Sequence, residues 1–80
     1  MSIEEQVVSI LAEYIHVEPS SIAEEASLTE DLGLDSLSII EFVQSLEESL
    51  GIEISDDQRS RAKTVREWIA LAQDATQTRQ

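Results

Sequence analysis

The stretch Asp31-Leu32-Gly33-Leu34-Asp35-Ser36-Leu37 runs straight into an apolar-periodic segment, Ile39 to Leu50, which Gly51 closes. This run leaves the chain few choices. Gly33 permits a tight bend, Asp35 has the side chain of a helix N-cap, and Gly51 stands where a left-handed residue ends a helix. The spacing predicts a helix from Ser36 to Leu50. Ile39, Val43, Leu46 and Leu50 line one face, with Leu37, Ile40 and Phe42 along its borders. Glu41, Glu47 and Glu48 belong to the more polar side. No basic residue follows any of them at i+4, where Ser45, Gly51 and Ile52 stand instead. The carboxylates therefore read either as an ordinary solvated face or as a surface that awaits a cationic partner.

The same helix start places the Ser36 hydroxyl on the first turn, beside backbone N–H groups and the positive end of the helix dipole. Such a position suits a phosphate ester or phosphodiester. The plainer reading is that Asp35 and Ser36 share the capping work. Hydrolysis is poorly supported. Ser36 lacks the G-x-S-x-G elbow, and the only histidine, His16, lies in a segment expected to pack elsewhere. Asp35 cannot act as its base by adjacency alone, because neighbouring helical residues do not face each other. The Asp31–Asp35 region lacks the alternating oxygen ligands of an EF-hand, and no Gly-rich phosphate loop with a lysine occurs.

Upstream, Ser2 and Glu5 have capping-box spacing, and Ile3, Val7, Leu11 and Ile15 recur every fourth residue, with Val8 and Ile10 widening the stripe. A first helix from Ile3 to about Ile15 follows, with Tyr14 flanking its buried face, hydroxyl in water, and His16 in its last turn. Residues 17–35 read as a long loop broken by Pro19. Val17, Ile22, Leu28 and Leu32 should pin that loop to the core, and Ser21 to Glu24 would supply a short turn. Downstream, Ile52 and Ile54 form an extended connector, since no second strand-like segment exists to pair with them. Ser55 and Gln58 repeat the capping-box spacing at the start of a short third helix, and Thr64 and Glu67 do so before a last helix carrying Val65, Trp68, Ile69 and Ala72. The tail beyond Gln73 is polar and should fray. Four amphipathic helices of this kind bury their faces most simply as an all-α, small four-helix bundle with a long first loop and a short third helix. Its 80 residues make one domain, with the ordered core over residues 3–72.

Charge narrows the partners. There are 17 acidic residues against 5 basic ones, for a formal net charge of -12, and the first Lys or Arg is Arg59. Nucleic acid is a poor partner, because phosphate contacts need neutralising cations. Basic protein surfaces are favoured, although the same charge also serves simply to keep a protein soluble and monomeric. Two acidic groups, Glu30, Asp31 and Asp35, and Glu47, Glu53 and Asp56, would offer weak divalent contacts if the fold brought them together; neither has dedicated metal-site spacing. With no cysteine there is neither a disulfide framework nor a thiolate metal site. The chain shows no positively charged leader, and its apolar runs are too short to span a membrane, so a cytoplasmic protein is expected.

D-L-G-L-D-S-L, followed by a helix bearing Glu41, Glu47 and Glu48, resembles the attachment site of an acyl carrier protein, and the likeness extends from Ile3 to about Ala72. The resemblance implies a non-catalytic carrier with that family's four-helix fold. It implies 4'-phosphopantetheine attached covalently to Ser36, with Asp35 as the motif residue before it. It further implies a phosphopantetheinyl transferase as partner, together with acyl-loading, condensing or acyltransferase enzymes whose basic surfaces would meet Leu37, Glu41, Glu47 and Glu48. Leu34 stands where fatty-acid carriers usually have a small residue, and Ser38 where an acidic one is common. In those two respects the chain looks more like carriers of polyketide, nonribosomal-peptide or other dedicated pathways. A primary fatty-acid carrier, an aminoacyl or peptidyl carrier, and an acidic interaction module without cofactor remain the alternatives.

Overall fold

A computed structural model describes residues 2–78. Four helices follow one another as α1 (Ile3–Ile15), α2 (Ser36–Leu50), α3 (Asp56–Arg61) and α4 (Val65–Thr78), with a short 3-10 turn at Pro19–Ser21 inside the long first loop. The ends obey the local chemistry. Ser2 and Glu5 close a reciprocal capping box on α1, and Ser55 and Gln58 do the same on α3. Gly51 ends α2 at φ +64°, and its N–H donates to the Glu47 carbonyl. α1 ends on His16 at φ +63°, a left-handed conformation that a non-glycine residue seldom adopts.

α1 packs against both α2 and α4. Val7 and Leu11 from α1, Phe42, Val43 and Leu46 from α2, and Val65, Trp68, Ile69 and Ala72 from α4 form one core. Leu28 and Leu34 from the loop, and Ile52 and Ile54 from the connector, complete it. Fully burying each such side chain contributes about 1.5–3 kcal/mol. Phe42, expected on the border of its helix, lies instead at the centre, while Ile39 and Leu50 are only half-buried. The buried arc of α2 turns toward Phe42 because Trp68 meets it there edge to face, with ring centroids 5.6 Å apart at 68°.

The long loop is tied down by backbone bonds to the α3–α4 connection. Leu28 N–H donates to the Lys63 carbonyl at 3.0 Å, Val65 N–H to Ala26 at 3.0 Å, and Arg66 N–H to Glu24 at 2.8 Å. Together they frame an isolated antiparallel bridge between Ser27 and Thr64. The Arg66 guanidinium reinforces it, 3.2 Å from Glu24 and 2.6 Å from Glu25. Leu28, Leu32 and Ile22 anchor the loop as expected, but Val17 is 43% exposed. The expected turn over Ser21–Glu24 begins two residues earlier, as a 3-10 turn at Pro19–Ser21, because proline's fixed φ suits the first position of such a turn. α4 continues through Thr78, past Gln73 where fraying was expected; Ala75 and Thr76 are still half-buried there. The last two residues of that tail, Arg79 and Gln80, lie outside the described residues.

Candidate functional site

The site is built at the N-terminus of α2. Leu34 is buried, and its N–H donates to the Leu28 carbonyl at 2.8 Å, so the loop's end is fixed to the core. Gly33 makes the preceding bend at φ +77°. A Cβ there would meet nothing within 4 Å, so the left-handed backbone is what calls for glycine. The next residue out, Asp35, then reaches the N-cap position, and its Oδ1 accepts the Ser38 N–H at 2.8 Å. That bond holds the Asp35 carboxyl below the ordinary carboxylate range, with the Ser38 hydroxyl and the Leu37 N–H adding to it.

Ser36 follows as the first residue of α2 and is exposed. Its hydroxyl makes no hydrogen bond among the described residues. Asp35 therefore does the capping alone; the serine is left uncommitted. One expectation needs adjusting: the amides that the helix start would offer an anion are partly taken by Asp35, so the surroundings of Ser36 combine a helix dipole with a neighbouring carboxylate.

Beside Ser36 the chain leaves two apolar side chains in water, Leu37 at 63% and Ile40 at 40% exposure. Their i, i+3 spacing puts them on one patch. Ser36 also opens on a groove of about 740 Å³, whose apolar wall of Leu28, Ile39, Ile40 and Ala62 faces a rim of polar and charged residues that includes Glu30, Asp56 and Arg59. The loop, α2, α3 with the segment after it, and α4 each supply part of that wall. Periodicity placed those residues on their elements, but it could not show that the elements would leave a space between them.

The three glutamates of α2 have different surroundings. Glu41 accepts the Tyr14 hydroxyl at the surface, where that hydroxyl was expected to lie. That bond raises the Tyr14 pKa above its ordinary value, with the Ser38 hydroxyl opposing the shift. Glu47 accepts the Ile54 N–H at 2.8 Å in a partly buried position, and so fastens the connector to α2. Glu48 is exposed. None of the three is ion-paired among the described residues.

The two acidic groups considered for divalent ions do not assemble. No group of three or more acidic or histidine side chains that could hold a metal ion forms among the described residues. Four of the six carboxylates are engaged elsewhere. Asp31 accepts the Ser27 N–H at 2.7 Å, Asp35 caps α2, Glu47 holds Ile54, and Asp56 pairs with Arg59. No helix among the described residues is long and apolar enough to cross a membrane.

The profile of the family described as "Phosphopantetheine attachment site" matches residues 5–72, which include the whole of this site. An acyl carrier protein of Zymomonas mobilis subsp. mobilis is 42% identical over 66 residues, covering 82% of this chain and 85% of the relative. A solved structure from Mycobacterium tuberculosis, described as a candidate acyl carrier protein, superposes with a TM-score of 0.84 at 25% identity, covering 91% of this chain and 97% of that one.

Proposed function

The chain belongs to the phosphopantetheine-dependent acyl carrier protein family, and from that premise we propose that Ser36 is the residue that carries the arm. The observation that carries this reading is the exposed, uncommitted Ser36 hydroxyl on the first turn of α2, beside a groove of about 740 Å³. Those features fit the cofactor: the hydroxyl is free to form a phosphodiester, and there is room beside it for a flexible chain. When attached, the arm supplies a terminal thiol that holds acyl groups as thioesters; the protein supplies location and recognition.

A phosphopantetheinyl transferase makes the attachment in this reading, with Asp35 presenting the serine through its cap. Partner enzymes then dock on the face beside Ser36. Leu37 offers an apolar contact, and Glu41, Glu47 and Glu48 offer negative charge to a basic surface, which favours fast encounter. Of these, Glu48 is the freest to meet a partner; Glu41 and Glu47 also hold Tyr14 and Ile54. Leu34 and Ser38 support a role in polyketide or another dedicated pathway over primary fatty-acid synthesis. Leu34 is buried as a loop anchor, and Ser38 removes an anion from the docking face. A cytoplasmic, monomeric carrier completes the proposal.

The test is intact-mass analysis after incubation with coenzyme A and a broad-specificity phosphopantetheinyl transferase. One phosphopantetheine mass should be gained, and peptide mapping should place it on Ser36. Modification of Ser36→Ala to the wild-type extent would reject the assignment.

A further inference from the structure

We infer that Tyr14 is a positioning residue for partner docking: its hydroxyl fixes the Glu41 carboxylate where a cationic side chain of an enzyme acting at Ser36 meets it. The inference rests on Ser36 carrying the arm. Tyr14 stands in the last turn of α1 and reaches across to the second turn of α2, where its hydroxyl donates to Glu41 Oε1. The Tyr14 ring packs against the core, while Glu41 is exposed. The donor is thus held by apolar contacts, and a phenol has only two side-chain torsions to fix. A lone exposed glutamate samples several rotamers and loses that freedom when a partner orders it. Here the fold has ordered the side chain beforehand.

Position and chemistry agree on this carboxylate. Glu41 follows Leu37 by four residues and precedes Glu48 by seven, so the three share one stripe of α2, with Leu37 63% exposed at its head. Tyr14 has a single proton to give. The Ser38 hydroxyl and the Asp35 carboxylate lie near enough to act on the phenol, but Asp35 already accepts the Ser38 N–H, and the phenol proton goes to Glu41. A carboxylate that accepts this one bond keeps lone pairs for an ammonium or guanidinium, so the bond orients the anion without consuming it. The cations among the described residues pair elsewhere, with Asp56, Asp57, Glu24 and Glu25. The Glu41 charge is left for a partner that presents Lys or Arg.

The test is steady-state kinetics of a broad-specificity phosphopantetheinyl transferase with coenzyme A, the carrier being wild type, Tyr14→Phe, Glu41→Gln or the double variant. Tyr14→Phe keeps the packed ring and removes only the hydroxyl. It should raise KM for the carrier about threefold and leave kcat unchanged, because docking must then order Glu41 itself. Glu41→Gln should raise KM at least as much, and the double variant should be no worse than Glu41→Gln alone. An unchanged KM in either single variant overturns the inference. So does a double variant whose effects multiply, since Tyr14 would then act by a route other than Glu41. A fall in KM with Tyr14→Phe overturns it too, because the hydroxyl would be shielding the carboxylate. Tyr14 is the only tyrosine, so the phenol doublet of the Raman spectrum reads its hydroxyl alone. The doublet should mark a strong donor in wild type and lose that character in Glu41→Gln; the same doublet in both overturns the inference, and this comparison decides if Tyr14→Phe does not fold. Absence of any mass gain at Ser36 in wild type overturns the carrier assignment and this inference with it, and is told apart by intact mass alone.

Discussion

At the start of α2 the Asp35 carboxylate accepts the Ser38 N–H, and its pKa is lowered from the ordinary 3.8 chiefly by that bond. A carboxylate depressed in the folded state contributes stability above its unfolded pKa, and that contribution is lost as pH falls through the folded value. Asp35→Asn keeps an oxygen that caps the helix but no longer ionises. The thermal midpoint of wild type should therefore exceed that of Asp35→Asn near neutral pH, and the gap should close as pH drops below 3.8. Midpoints measured in steps from pH 6 to pH 2 check this. A gap that stays constant across the range would mean the cap acts through shape, with no contribution from charge.

The three glutamates of α2 look alike in sequence and do different work in the folded element. Glu47 holds the Ile54 N–H at 2.8 Å in a partly buried position, and a charge-assisted bond of this kind contributes about 1.5–3 kcal/mol. Glu48 is exposed and should be worth less than about 0.5 kcal/mol to stability. Glu47→Lys is thus expected to lower the denaturation midpoint clearly, and Glu48→Lys to leave it almost unchanged. On partner transfer the order should reverse once stability is accounted for. Glu48→Lys should slow phosphopantetheinylation or acyl transfer at low salt, and added salt should shrink the difference. Urea titrations and initial rates of the two variants separate the roles; equal midpoints would deny Glu47 its structural part.

Across the whole molecule, 15 of the 17 acidic residues precede Arg59. The ion pairs among the described residues gather where the cations are: Arg59 with Asp56, Arg61 with Asp57, and Arg66 with Glu24 and Glu25. Much of the surface therefore repels itself, and a small core has a limited reserve against that. Moderate salt should raise the thermal midpoint, by screening over a Debye length of about 8 Å near physiological ionic strength. Because the acidic groups do not converge into a metal-holding cluster, magnesium and calcium chloride should give the same midpoint as sodium chloride at matched ionic strength. Calorimetry in the three salts tests both statements. A higher midpoint with the divalent salts would reveal a site formed in solution, and no rise in any salt would mean that repulsion is not what limits stability.

What the sequence by itself determined is local. The bounds of α1 and α2, the reciprocal caps at Ser2–Glu5 and Ser55–Gln58, and the left-handed stop at Gly51 were legible because each depends on residues within a turn or two of one another. Ser36 was legible for the same reason: its place follows from the glycine bend and the cap beside it. The tertiary structure decided whatever depends on distant groups meeting. Phe42 moved from border to centre because Trp68 lies opposite, and the Tyr14 hydroxyl found an acceptor at the surface because Glu41 comes within reach. The loop found backbone partners at Lys63, Val65 and Arg66, far along the chain. Four of the six carboxylates considered for divalent ions found other donors, and the groove beside Ser36 exists only because four elements pack around it without filling it. Periodicity fixes which side of a helix seeks burial; it cannot fix which neighbour arrives there, since that is settled by packing the separate faces together.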